Sequence, residues 1–189
     1  MTSQFSPKVS EILAFSREEA TRLASSFVGP EHLLLGILRE KGGPVIDLLN
    51  RLELNIPNIK SALEERVRTD QGSTPAHPSE LVLNDKASNI LKLAVLEARI
   101  QHTQIVDVQH LLIAILHDQM NNGAKEVLED NKLDYEKAIQ QLQKKPTTDG
   151  LGLPDEDEEE FEDATPFNRQ GGNQRRSTTT AQPKGKSDT

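Results

Sequence analysis

The stretch "VGPEHLLLGIL", Val28 to Leu38, returns downstream as "VDVQHLLIAIL", Val106 to Leu116. With His32 set on His110 the offset is 78 residues, and Ser6 then meets Asn84, Ile12 meets Ile90, Leu13 meets Leu91, Ala20 meets Ala98 and Val28 meets Val106. One inserted residue moves the offset to 79, after which Leu49 meets Leu128, Asn55 meets Asp134 and Leu63 meets Leu142. Agreement over about 60 positions with a single slip marks an internal duplication. The fold must therefore be built twice, with two units too small to bury much alone sharing one core.

Each copy reads as four helices, which makes the expected class all-α. Ser6 is a good N-cap, and Pro7 follows at the first helical position, where its missing N–H is harmless. Val9, Ile12, Leu13, Ala20, Leu23 and Ala24 then recur at helical spacing. "ASSFVG" ends this helix and Pro30 starts the next, which is apolar around most of its girth and so belongs in the centre. Gly36 sits inside that second helix, matched by Ala114. Because a mid-helix glycine costs about 1 kcal/mol against alanine, a close helix crossing is expected there. "EKGGP" precedes a third helix over Val45 to Leu52. Asn55 and its counterpart Asp134 cap the fourth helix of each copy.

These signals place the first copy at 1–67, a linker rich in Pro and small polar residues at 68–80, and the second copy at 81–145. From Met1 to Lys145 there are 20 acids and 17 Lys/Arg; from Pro146 to Thr189 there are 10 acids and 5 Lys/Arg. Residues 146–189 pack eight acids into Asp155 to Asp163 and continue polar. Such a composition predicts a disordered acidic and polar tail, acting as a linker.

Composition also narrows the function. There is no cysteine, hence no disulfide or thiolate chemistry. No apolar run approaches the roughly 20 residues that span a bilayer, and no secretory signal is visible, so a cytoplasmic chain without a membrane partner is expected. A net charge of −8, one Tyr and no Trp argue against nucleic acid. "GKS" at Gly185 to Ser187 lacks the preceding glycine of a phosphate-binding loop, since Thr180 occupies that place. His110 and His117 lie seven apart, but two imidazoles alone do not close a metal site. His32 and His110 are matched and start the apolar helices, so they serve the fold. The expectation is no catalytic residue, no metal and no cofactor. Glu31 remains, an acid in a first turn where the helix dipole favours it by roughly 0.3–1 kcal/mol.

The strings "GPEHLLLGILRE" and "VQHLLIAILHD", each preceded by a helix of the "SPKVSEILAFSREEA" kind, resemble the duplicated Clp N-terminal domain of Hsp100-type AAA+ unfoldases. The resemblance runs from about Phe5 to Leu142. Within that family the likeness is to ClpC, with a ClpB-type disaggregase or a stand-alone accessory protein of the Clp machine as alternatives. It implies two four-helix repeats related by a pseudo-twofold axis in one compact, monomeric domain. It also implies a receptor for adaptors and unfolded or marked clients, which serves ATPase rings and, through them, ClpP. Some ClpC domains bind phosphoarginine, the phosphate at a helix start and the guanidinium on a carboxylate. Carried over, Ser6, Pro7 and Lys8 would face the phosphate and Glu31 the guanidinium. In the second copy Asn84 and Asp85 replace the helix start and Gln109 replaces the acid. Asp107, as N-cap, is expected to be engaged with backbone N–H groups, so this second site is expected to be lost.

Overall fold

The structure, a computed structural model, describes residues 4–69 and 81–144. Among these, eight helices and two short strands follow the order β1 Gln4–Phe5, α1 Pro7–Arg22, α2 Pro30–Leu38, α3 Pro44–Arg51, α4 Ile56–Thr69, α5 Asp85–Ile100, β2 Ile105–Val106, α6 Val108–His117, α7 Gly123–Asp130 and α8 Tyr135–Gln143. Four helices per repeat is the number that the duplicated pattern requires. The caps expected at Ser6, Asn55 and Asp134 are in place, and Asn84 adds another. Ser6 Oγ accepts from Val9 N–H at 3.2 Å, Asn84 Oδ1 from Ala87 at 2.8 Å, Asn55 Oδ1 from Asn58 at 3.1 Å and Asp134 Oδ1 from Lys137 at 2.8 Å. Helix α4 runs to Thr69, two residues into the stretch expected to be linker. The rest of that linker and the expected tail at 146–189 lie outside the described residues.

Helices α2 and α6 form the centre. Residues His32 to Ile37 of α2 are all buried, as are His110 to Leu116 of α6. Gly36 marks the close crossing of α2 with α1: a Cβ there would lie 2.7 Å from the Ile12 carbonyl oxygen and 2.6 Å from Ser16 Oγ. In the second copy the matched positions are Ala94 and Ala114, both fully buried. Small residues thus stand at both matched positions: the second copy lacks the Ser16 hydroxyl and carries a methyl at Ala114 in place of the Gly36 hydrogen.

The two strands were not anticipated, and they tie the repeats together. Phe5 pairs in parallel with Val106, while Leu83 forms a bridge with Val28. Phe5 and Leu83 are matched by the 78-residue offset, as are Val28 and Val106. Each repeat's lead-in therefore pairs with the other repeat's approach to its second helix. That reciprocity is what a twofold relation produces. The helix ends repeat as faithfully. Ala24 and His102 follow α1 and α5 with φ of 55° and 56°, and Glu53 and Lys132 follow α3 and α7 with φ of 54° and 65°. In all four, the next N–H reaches back to a carbonyl in the last turn, as from Ser25 to Ala20 at 2.8 Å, a left-handed helix stop usually given to glycine.

Candidate functional site

The reciprocal pairing brings helix starts from different repeats side by side. The Ser6 N–H donates to the Val106 carbonyl at 2.8 Å, which places the start of α1 beside the start of α6. The Asn84 N–H donates to the Val28 carbonyl at 2.9 Å, which places the start of α5 beside the start of α2. Two crossed sites result, and their contents differ.

At the α5–α2 junction, Phe27, Pro30, Glu31, Asn84, Asp85 and Lys86 line an open pocket of ≈ 300 Å³. Glu31 is half-buried and its Oε1 accepts the N–H of Gly123, the first residue of α7, at 3.0 Å. Its other oxygen turns toward Gly29: a Cβ on that residue would meet Glu31 Oε2 at 3.0 Å and Asn84 Nδ2 at 3.3 Å. The absent side chain of Gly29, N-cap of α2, leaves this corner open. Lys86 Nζ donates to the Asn121 carbonyl at 2.8 Å, and Asp85 is exposed beside it. The site therefore presents two carboxylates and one ammonium that already has a partner.

At the α1–α6 junction the N-cap of α6 is Asp107, which stands where α2 has Gly29. Ser6 Oγ donates to Asp107 Oδ1 at 3.0 Å, and the same oxygen accepts the Val108 N–H at 2.8 Å. Asp107 is engaged as expected, with Ser6 as an additional partner. Lys8 Nζ pairs with Glu40 at 3.1 Å. Gln109, the counterpart of Glu31, has a buried Oε1 without a hydrogen-bond partner. It lines a separate cavity of ≈ 90 Å³ with Pro44, Gln101 and Gln143. Pro44 is the residue matched to Gly123, and it has no N–H to donate.

The grouping expected from the sequence is thereby corrected. Glu31 does not share its pocket with Ser6, Pro7 and Lys8; it shares it with Asn84, Asp85 and Lys86. The physical reason is the cross-repeat strand pairing, which exchanges the partners of the helix starts. Sequence reasoning missed Gly29, Lys86 and Gly123. Lys86 was within reach, since the offset matches it to Lys8, whereas Gly123 carries no signal of a contact 92 residues away.

The paired histidines hold the helix starts. The Gly29 N–H donates to His32 Nδ1 at 2.9 Å, and the Asp107 N–H to His110 Nδ1 at 2.9 Å. An Nδ1 that accepts is unprotonated, so both rings are neutral with the proton on Nε2. There it faces Ser25 Oγ at 3.0 Å in one repeat and Gln101 Oε1 at 3.2 Å in the other. Burial pushes His32 from 6.5 down to about 4. Burial also lowers His110, against the opposing pull of Asp107 and Glu97.

With this geometry in view, comparison with known proteins is direct. The family described as the Clp repeat (R) N-terminal domain matches residues 4–131, and the chain belongs to that family. It is 30% identical over 137 residues to an ATP-dependent Clp protease ATP-binding subunit ClpA homolog of Cyanidium caldarium, covering 72% of this chain and 16% of that protein. It is 29% identical over 148 residues to the ATP-dependent Clp protease ATP-binding subunit ClpC of Staphylococcus saprophyticus, covering 78% of this chain and 17% of that protein. The chain thus spans less than a fifth of the length of these relatives. The crystal structure of the Hsp104 N-terminal domain from Candida albicans superposes with a TM-score of 0.62 at 19% identity, covering 74% of this chain and 89% of that one, and shares the fold. Among the described residues no helix is long and apolar enough to cross a membrane.

Proposed function

We propose that this domain is a receptor that delivers arginine-bearing segments of clients or adaptors to the ATP-driven ring of a Clp unfoldase. We take the parent to be of the ClpC type, which feeds the ClpP peptidase. Family membership supports the receptor role. The observation that carries the arginine reading is the Glu31 carboxylate, held by Gly123 at 3.0 Å on the wall of an open pocket. A carboxylate fixed in this way is suited to a planar guanidinium, which it can meet through paired hydrogen bonds.

The phosphoarginine reading takes a changed form. Its two halves, a helix start beginning with Ser6 and Lys8 and the acid Glu31, belong to different junctions. The helix start that does face Glu31 carries Asp85, whose charge opposes a phosphate. We therefore assign the pocket to the unmodified guanidinium, and the junction of Ser6, Pro7 and Lys8 with Asp107 to a structural role. Calorimetry of one client-like peptide with plain arginine and with phosphoarginine, against the native domain and Glu31→Ala, tests this. The expected result is binding of the plain peptide that falls in Glu31→Ala and weakens with added salt, with no gain from the phosphate. Equal binding by both proteins, or clear preference for the phosphorylated peptide, overturns it.

A further inference from the structure

We infer that Gly123 is a positioning residue for the Glu31 pocket, an inference that rests on the arginine reading above. The first N–H of α7 holds one carboxylate oxygen of Glu31, so that the other faces Gly29 and Asn84. Two features of the second repeat's α7 make this possible. The N-cap Asn122 accepts from Lys125 N–H at 2.6 Å, which leaves the Gly123 N–H, unsatisfied within its own helix, for an outside acceptor. Residue 123 also has no side chain, and it needs none: a Cβ there would lie 2.5 Å from Glu31 Oε1 and 3.2 Å from Arg66 Cδ. Arg66 bridges to Glu126 one turn further on, fixing α7 against the first repeat.

The pseudo-symmetric junction shows what happens without this device. Pro44 at the start of α3 offers no N–H, and the Gln109 amide oxygen matched to Glu31 is buried without a partner. The three matched pairs, Gly29 with Asp107, Glu31 with Gln109 and Gly123 with Pro44, differ together. Each difference opens and orients the first junction or closes the second. Gly123 thus holds the carboxylate at the first junction, a contact that Pro44 cannot make to Gln109 at the second.

The decisive variant imports the second junction's chemistry: Gly123→Pro. Proline is well suited to a first helical position, and Asn122 already has the extended backbone it requires, φ −131° and ψ 142°. Affinity for a plain arginine peptide is expected to fall at least about tenfold, because proline removes one charge-assisted hydrogen bond and its Cβ also displaces the Glu31 carboxylate. In a Glu31→Ala background Gly123→Pro should cause no further loss, because both act through the same carboxylate. Gly42→Ala, at a glycine with open space around it, should bind as the native domain does. Native-like affinity in a folded Gly123→Pro, or losses that add to those of Glu31→Ala, overturns the inference. Should Gly123→Pro fail to fold, or the native domain fail to bind the peptide, hydrogen exchange of the Gly123 amide decides. Protection lost in Glu31→Ala supports the positioning contact and leaves only the choice of ligand rejected, whereas equal protection in both proteins overturns it.

Discussion

Ser6 and Asn84 make the same hydrogen bond in reciprocal directions between the repeats, Ser6 N–H to the Val106 carbonyl and Asn84 N–H to the Val28 carbonyl, at 2.8 and 2.9 Å. Each cap thereby starts its own helix and anchors it to the other repeat. This one relation explains why the two copies share a core and why each junction draws its residues from both. It also explains how two unlike junctions arise from a symmetric frame: a few substitutions at matched positions suffice.

The neutral histidines make stability depend on acid. His32 sits at about 4 in the fold, and its ordinary value is 6.5. The unfolded chain therefore takes up the proton first as pH falls. Stability from this group is fully present above 6.5 and is lost on the way down to about 4, a loss of about 3 kcal/mol at most. His110, also lowered, acts in the same direction. Urea unfolding at pH 7.5, 6 and 5 should show a falling midpoint; a constant or rising midpoint would count against a neutral His32.

The crossing at Gly36 should tolerate almost nothing larger. Gly36→Ala places a methyl against the Ile12 carbonyl and Ser16 Oγ, at an expected cost of about 1–3 kcal/mol despite alanine's better helix propensity. Adding Ser16→Ala reproduces the Ala94 and Ala114 arrangement and should recover part of the loss, the part due to the hydroxyl. Denaturant titration of the two variants checks this, and a single variant as stable as the native domain would mean the crossing can open.

A left-handed residue without a glycine is a site for gain. Ala24 has φ 55°, and Ala24→Gly should stabilise the domain by about 1 kcal/mol. A thermal midpoint that rises confirms strain at this helix stop, and one that falls shows that the alanine methyl contributes packing worth more than the strain.

Gly29 should separate stability from binding. Gly29→Asp imports the N-cap that Asp107 supplies to α6, which favours α2 by a few tenths of a kcal/mol, and it fills the corner between Glu31 Oε2 and Asn84. The gain from the cap is set against the 3.0 Å approach of the new Cβ to Glu31 Oε2, so the thermal midpoint should move little while affinity for an arginine peptide drops. Unchanged affinity would place the ligand elsewhere.

Much of this architecture could be read from the chain. The offset of 78 identified the repeats, the caps Ser6, Asn55 and Asp134 identified helix starts, and Gly36 identified a crossing, because each leaves a local chemical signature. The crossing of partners left none. Alignment shows which residues correspond, but not whether a helix start meets its own repeat or the other one. That choice is made by Gln4–Phe5 and Ile105–Val106, pairs too short to show the alternation by which strands are recognised. Glu31 stood out as an acid at a helix start, yet its partner Gly123 is a backbone N–H, and backbone donors are invisible in composition.

The most direct test is a titration of the isotope-labelled domain with a plain arginine peptide, followed at the backbone amides. The account predicts that Phe27, Glu31, Asn84, Lys86 and Gly123 shift together while Ser6 and Lys8 stay still. Joint shifts of Glu31 with Ser6 and Lys8, or shifts centred on Gln109, would contradict it.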